Sequence, residues 1–328
     1  MACKVFITGD HDGRRLDRTI RSIWPALPLS LIMKTLRKGE VRLDAARVRE
    51  PSARVNAGQE LYVPWEPPGT IAEPAPRRWG DVPLLWSGDN VVVINKPADL
   101  LVQPDVKDGD SVITRIWGMF GRGRVGFSPA AVHRLDRNTT GALVAALSGE
   151  ALRELERLFR ERLIVKRYLA VVVGKLPDKG VINAPLLKDE ENNTVSVCDE
   201  KSGKTALTRY NRISSTGALS LASIELMTGR THQARVHMAH IGHPILGDRK
   251  YGDFEVNRHR REVKRPLLHA FELKFPQGLS GALSEVSGKT FRAEIPGDIS
   301  ALLRKDGLNP EVFKKEDFGG ENLESITL

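Results

Sequence analysis

Apolar residues along this chain follow two rhythms. Short unbroken runs, VVVI at 91–94, ALVAAL at 142–147 and LAVVVG at 169–174, have the length of buried strands and are too short to span a membrane. LASIELM (221–227) and LLHAFELKF (267–275) read the same way. The stretch GEALRELERLFRERL (149–163) instead spaces Leu152, Leu155, Leu158 and Phe159 along one face of a helix, and SVITRIWGMF (111–120) also reads as helix. From about 84 to 305 strands outnumber helices, which predicts an α+β domain on a mixed, mostly antiparallel sheet.

Nearer the N-terminus the pattern changes. Ser30 follows Pro28 and precedes LIMKTLRK, so it reads as an N-cap, and Gly39 reads as the residue that ends a helix over 31–38. Leu31, Ile32, Thr35 and Leu36 form the inward side, while Lys34, Arg37 and Lys38 make a basic stripe. EVRLDAARV and the segment ending in ELYV read as short strands, and EPPGTIAEPAPRRWGDV (66–82) reads as a semi-rigid linker. The expected organisation is a small α/β domain at 12–65, a linker at 66–82, a large domain at 83–306 and a polar tail at 307–328.

Composition adds little until charge is located. With 328 residues and 41% hydrophobic content, the chain can bury the cores of two or three domains. Cys3 and Cys198 match neither a metal-ligand spacing nor a disulfide framework and read as free thiols. The start carries no apolar run of signal-peptide length, so the expected location is cytoplasmic. The formal net charge is +9, and residues 12–54 hold two thirds of the excess, which points to a polyanionic partner for this one segment.

Several chemistries fail on spacing. GRGRVG (121–126) matches a dinucleotide fingerprint in letters, yet it follows a helix, whereas that fingerprint joins a strand to a helix. His232, His237, His240 and His243 lack the catalytic Glu and the ligand spacing of a zinc hydrolase. No Ser or Cys stands in a nucleophile's context. What remains is Asp136 in HRLDRNTTG, a lone carboxylate that could serve as nucleophile if an arginine keeps it ionised. One guanidinium at ~4 Å supplies roughly 4 kcal/mol at an effective dielectric near 20 and lowers an Asp pKa by about 1 to 3 units. In an extended backbone Arg134 shares the face of Asp136 and is a candidate local partner, Arg137 points away, and an arginine from elsewhere in the fold is a further candidate.

Residues 12–65 resemble an S4-like RNA-binding domain through Arg15-Leu16-Asp17, Leu27-Pro28-Leu29-Ser30-Leu31-Ile32, Arg37-Lys38-Gly39-Glu40-Val41 and Gly58-Gln59-Glu60-Leu61. Asp44-Ala45 replaces the usual Asn-Gly turn, which predicts a differently built hairpin. HRLDRNTTG resembles the H-R-L-D-x-x-T-S-G motif of the RluA/RluC/RluD family of RNA pseudouridine synthases. VVVINKPADLLVQP (91–104), KRYLAVVVG (166–174), TGRTHQARVHMAHIGHPILGDRKYG (228–252) and LLHAFELKF agree with that family in its order. The layout is most similar to the RluC type. Thr140 stands where Ser is usual, Ala234 where Ile or Leu is usual, and Asp99 where the family has Gly, which puts the backbone of that loop in question.

The resemblance implies a pseudouridine synthase catalytic domain that needs no metal or redox cofactor and acts on 23S rRNA. It assigns the essential carboxylate to Asp136, base stacking and a share in proton abstraction to Tyr168, and an ion pair with Asp136 to Arg235. Arg134 would fill the gap left by the flipped uridine, and Lys34, Arg37 and Lys38 would hold phosphates. Attack on the ribose and attack on the base both need one ionised carboxylate in a sequestered pocket. The expected partner is large-subunit rRNA, met during ribosome assembly by a monomer. The alternative is a ribosome-associated RNA binder without catalysis, against which the intact Asp136, Tyr168 and Arg235 speak.

Overall fold

The computed structural model describes residues 2–68, 79–105, 109–121 and 127–308. Most of the expected linker, the stretch GRGRVG beyond Gly121 and the tail past Leu308 lie outside the described residues. The described residues form two compact units, one of those up to Arg137 with Ala142–Ile164 and Leu273–Arg292, the other of Asn138–Gly141, Val165–Glu272 and Ala293–Leu308.

In the first unit, β1 (Cys3–Phe6), α1 (Leu16–Ile23), α2 (Leu29–Lys38), β2 (Arg42–Leu43), β3 (Ala46–Arg47) and β4 (Glu60–Val63) build a sheet of order β1-β4-β2-β3 with two helices. Leu16, Ile20, Ile32, Leu36, Val41, Leu61 and Val63 are buried in one cluster, so this region has a core of its own. Its sheet begins at Cys3, upstream of residue 12.

Helix α2 starts two residues earlier than expected, with Pro28 rather than Ser30 at the N-cap and no side-chain cap. The Leu31 and Ile32 amides donate to the Pro28 carbonyl at 3.0 and 3.2 Å, so the first turn is already closed when Ser30 is reached. Leu31 is consequently exposed rather than inward, while Ile32, Thr35 and Leu36 are buried. The C-terminal end is as read: Gly39 takes φ 67° and its amide donates to Leu36 O at 2.8 Å. Lys34, Arg37 and Lys38 are all exposed.

The β2–β3 turn corrects an expectation. Asp44 and Ala45 both adopt positive φ, 48° and 69°, which are the torsions of the two-residue turn that Asn-Gly favours. Asp44 compensates in part, since its carboxylate accepts from the Glu60 amide and the Gln59 side chain, both at 2.9 Å.

The first unit continues with β5 (Leu84–Ser87), β6 (Val91–Lys96), α3 (Val112–Phe120), β7 (Ala130–Ala131), β8 (Thr140–Ala146) and α4 (Gly149–Arg160). Strands β8, β6 and β5 are successive neighbours, and Val91–Ile94 and Ala142–Ala146 are fully buried, which is why their sequences run apolar without alternation. Helix α3 opens with a Ser111–Thr114 capping box, and the Ser148 hydroxyl caps α4 at the Ala151 amide. Ala151, Leu155 and Leu158 form the buried face of α4, with Leu152 and Phe159 half-buried.

The second unit holds β9 (Val165–Val173), β10 (Lys179–Asn183), β11 (Leu186–Asp189), β12 (Thr194–Val197), β13 (Leu207–Ser215), β14 (Leu219–Leu226), α5 (Gln233–His240), α6 (Phe254–His259), β15 (Leu268–Lys274) and α7 (Gly297–Lys305). Its sheet runs β10-β13-β14-β9-β15, antiparallel from β10 through β9. Strand β15 then pairs in parallel with Thr140 and Gly141, the two residues of β8 that belong to this unit, His269 opposite Thr140 and Ala270 opposite Gly141. Gly141 has φ 113°, and a Cβ there would stand 2.1 Å from Ala270 O, so no other residue fits the end of HRLDRNTTG. Leu169, Val171, Leu219, Leu221, Leu302 and Leu303 share the core beneath. The fold is α+β with a mixed, mostly antiparallel sheet, as expected. Among the described residues no helix is long and apolar enough to cross a membrane.

Candidate active site

The loop that carries Asp136 is fixed by its backbone. In the first unit, the fully buried Lys96 of β6 points its ammonium at three carbonyls, Pro97 at 2.8 Å, Leu100 at 2.6 Å and Arg137 at 2.8 Å. The Leu100 amide adds a second, longer bond to Arg137 O at 3.3 Å. The His133 ring stacks on Phe159 at 4.6 Å, and its Nε2 accepts the Val144 amide at 3.1 Å, so Nδ1 carries the proton of the neutral ring. Leu135 is buried, Asp136 half-buried and Arg134 exposed.

Asp99 resolves the question raised by its replacement of glycine. It sits at φ 58°, in the left-handed region that the usual Gly would occupy, and its Oδ1 accepts from Arg137 Nε at 2.9 Å. Asp tolerates that region better than most side chains, and its exposed pair with Arg137 adds little.

In the second unit, the buried Arg265 clamps Asp298 through two bonds of 2.8 and 2.9 Å and donates to the carbonyls of Asn138 and Leu268 at 3.2 and 3.3 Å. The Thr140 hydroxyl meets His269 Nδ1 at 2.8 Å, and His269 Nε2 lies 3.3 Å from Ala293 O. Nε2 must donate to that carbonyl, so Nδ1 accepts from the hydroxyl. Burial pushes the His269 imidazole down to about 4, so it stays neutral, and Thr in place of Ser keeps the hydroxyl this bond requires.

Tyr168 is buried on β9 opposite Ile224 of β14. Arg235 lies on α5, where it holds Asp248 through Nε at 2.6 Å and Nη2 at 2.9 Å, with its guanidinium over the Tyr251 ring at 5.0 Å. Burial alone would raise the Asp248 carboxyl, but the Arg235 bonds and the Lys250 and Tyr251 amides outweigh it and hold it below the usual carboxylate value. Gln233 satisfies all its bonding capacity: Oε1 accepts from Thr228 and the Arg230 amide in the preceding turn, while Nε2 donates to Leu207 O and Thr208 Oγ1 on β13. This network accounts for the glutamine of T-H-Q.

The histidines of this block are spread among separate bonds. His232 takes φ 54° and meets the Tyr251 hydroxyl at 2.8 Å, His237 bonds Thr208 and Ala184 O at 2.9 Å, and His243 reaches Val173 O at 2.9 Å. Burial lowers the His237 pKa. Among the described residues no group of three His, Cys, Asp or Glu could hold a metal ion.

Asp136 and Arg134 thus lie in the first unit, with Lys34, Arg37 and Lys38 on its helix α2, while Tyr168 and Arg235 lie in the second. Sequence reading missed Lys96, Asp248, Arg265 and His269. Lys96 and Asp248 were visible as the only charged letters inside N-K-P and the first inside G-D-R-K-Y-G, where apolar neighbours foretold burial.

The first unit thus offers a half-buried carboxylate, Asp136, on a braced loop, and the second a buried phenol, Tyr168, and a guanidinium, Arg235, held by a carboxylate. The chain belongs to the RNA pseudouridylate synthase family, whose model matches residues 90–240, and is therefore an isomerase. Within that family it is 34% identical to the ribosomal large subunit pseudouridine synthase C of Vibrio cholerae over 286 residues, 82% of this chain and 88% of that one. It is also 34% identical to the synthase of the same name from Escherichia coli K12, over 90% of this chain and 92% of that one. Among solved structures, human RNA pseudouridylate synthase domain containing 4 superposes with a TM-score of 0.54 at 27% identity, covering 69% of this chain and 93% of that one. The RluC-type resemblance read from the motifs is borne out.

Proposed function

We propose that this chain isomerises specific uridines to pseudouridine in 23S rRNA of the large ribosomal subunit. The observation that carries the reading is the 34% identity, over most of both chains, to synthases named for the large ribosomal subunit. Retention of Asp136, Tyr168 and Arg235 in the matching blocks supports it.

In this reading the bond from ribose C1′ to uracil N1 breaks, the base turns, and a bond forms from C1′ to C5. The hydrogen on C5 leaves as a proton and N1 gains one, so no atom is lost overall. Asp136 is the essential carboxylate, Arg235 is its counter-charge, and Tyr168 stacks on the base and takes part in removing the C5 proton. Arg134, exposed beside Asp136, occupies the space the flipped uridine leaves. Residues 12–65 act as the S4-like RNA-binding domain, ahead of a linker at 66–82 and a catalytic domain at 83–306, and Lys34, Arg37 and Lys38 grip phosphates. The enzyme works in the cytoplasm as a monomer on large-subunit RNA during ribosome assembly.

RNA carrying uridine tritiated at C5 tests this. The wild-type chain should release tritium from deproteinised 23S rRNA or an assembly precursor, and Asp136→Asn should reduce release to background. No release from either RNA, or an undiminished rate in the variant, would overturn the reading.

A further inference from the structure

Outside the proposed catalytic residues, the turn after Asp248 and helix α6 enclose a groove of about 470 Å³. Arg249, Arg258, Arg261 and Lys264 line it together with Phe254 and Asn257. Among the described residues Arg249, Arg261 and Lys264 have no carboxylate within ion-pair distance, and Arg258 reaches only Glu255 at 3.8 Å, an exposed contact that contributes little. The other acidic groups here are engaged. Asp248 is held by Arg235, Asp253 caps α6 at the Val256 amide, and Glu262 faces Lys305 at 2.9 Å and Arg260 at 3.9 Å.

Phe254 stands among these cations with 75% of its surface exposed, more than any other large apolar side chain described. An aromatic ring left in water beside unpaired cations suits a polyanion that also has flat faces to stack. A lipid surface would call for several exposed apolar side chains, and of the two that line the groove only Phe254 is exposed, Val263 being half-buried. Asn257 is occupied, since its Oδ1 accepts from the Gly247 amide at 2.8 Å and its Nδ2 donates to Asp248 O at 3.0 Å. The groove therefore offers phosphate contacts and a stacking face with little hydrogen-bond readout of base edges.

We infer that this groove is an RNA subsite that holds phosphates of a single-stranded segment with Arg249, Arg258, Arg261 and Lys264 and stacks one unpaired base on Phe254, without sequence preference. The inference rests on the RNA substrate proposed above. Because Asp248 lines the groove and also anchors Arg235, a strand held there lies next to the side chain that positions the guanidinium.

The test uses the full chain and a fluorescein-labelled oligouridine of about twelve nucleotides, with anisotropy read across a salt series. Changing Arg249, Arg261 and Lys264 together to Ser should raise Kd at least tenfold at moderate salt and shrink the salt slope by about 2, from three lost phosphate contacts. Phe254→Ala should raise Kd about 5- to 140-fold, and Phe254→Trp should restore it. In tritium release both sets should raise KM and leave kcat unchanged. Oligouridine carrying 4-thiouridine should photocrosslink within residues 249–264, a readout that does not depend on the variants folding well. Unchanged Kd and salt slope, or crosslinks only elsewhere, would overturn the inference, as would variants that lose phosphatidylglycerol vesicles and keep RNA. If the wild-type chain binds oligouridine through the groove yet releases no tritium, the proposed activity falls and the subsite stands; release with groove variants of normal KM and Kd gives the reverse.

Discussion

Replacing Lys96 by Met should loosen the loop that carries Asp136 while leaving most of the sheet in place. The ammonium donates to three carbonyls. Arg137 O would keep the Leu100 amide at 3.3 Å, but Pro97 O and Leu100 O would lose the donor that holds them. A buried acceptor left unmade costs about 1–3 kcal/mol, so two give roughly 2–6 kcal/mol. The variant no longer has to bury an ammonium, which returns several kcal/mol per ion in part, and the expected net loss is about 2–4 kcal/mol. Methionine fills nearly the same volume, so a cavity contributes little. Hydrogen exchange read by mass spectrometry should show faster exchange in peptides covering 97–104 and 132–139, by about 30- to 1000-fold for that range. Tritium release should fall in kcat more than it rises in KM, because the loop that positions Asp136 is what loosens. Unchanged protection in both peptides with unchanged kcat would refute the bracing role of Lys96.

His269 makes stability depend on pH. Its folded pKa of about 4 lies below the ordinary 6.5, so between those values the unfolded chain binds a proton that the folded chain does not, and stability falls as pH drops through that window by up to about 3 kcal/mol. His269→Gln should flatten the urea midpoint between pH 6.5 and 4.5, with the depressed His237 leaving a residual slope in the same direction; an unaltered slope would count against it. Ala45→Gly should stabilise the β2–β3 hairpin by about 0.5–1 kcal/mol, since φ 69° is strained for Ala, and a lower melting temperature would contradict that. Changing Lys34, Arg37 and Lys38 together to Ala should weaken rRNA binding and cut its salt slope by about 2–3 in a filter-binding titration, with circular dichroism unchanged; equal slopes would make the stripe a solvated face.

Strands β6, β8, β9, β14 and β15 were legible because both faces of their central stretches are covered, which favours apolar residues at consecutive positions and leaves runs no loop would carry. The end of α2 was legible because Gly39 adopts a torsion few residues share. Its start was misread because Ser30 has a capping side chain that the Pro28 carbonyl makes unnecessary, a choice decided by backbone geometry and invisible in letters. Helix α7 escaped notice since its N-cap, Pro296, makes no side-chain cap and its buried face needs only Ile299, Leu302 and Leu303. At the site, Asp136 and its motif were readable locally, but Lys96 reaches Arg137 across 41 residues and Arg265 reaches Asn138 across 127, and such pairings leave no periodicity in the sequence.

Asp99 and Ala45 bear on how members of this family are recognised. Both take positive φ, 58° and 69°, a region where glycine is the residue usually found. A search string built from residue names and expecting glycine at such torsions penalises a chain that reaches them with another residue. A profile that scored dihedral class and the acceptor facing it would treat Asp99, paired to Arg137, as a full match, and would gather divergent sequences that spelling alone discards.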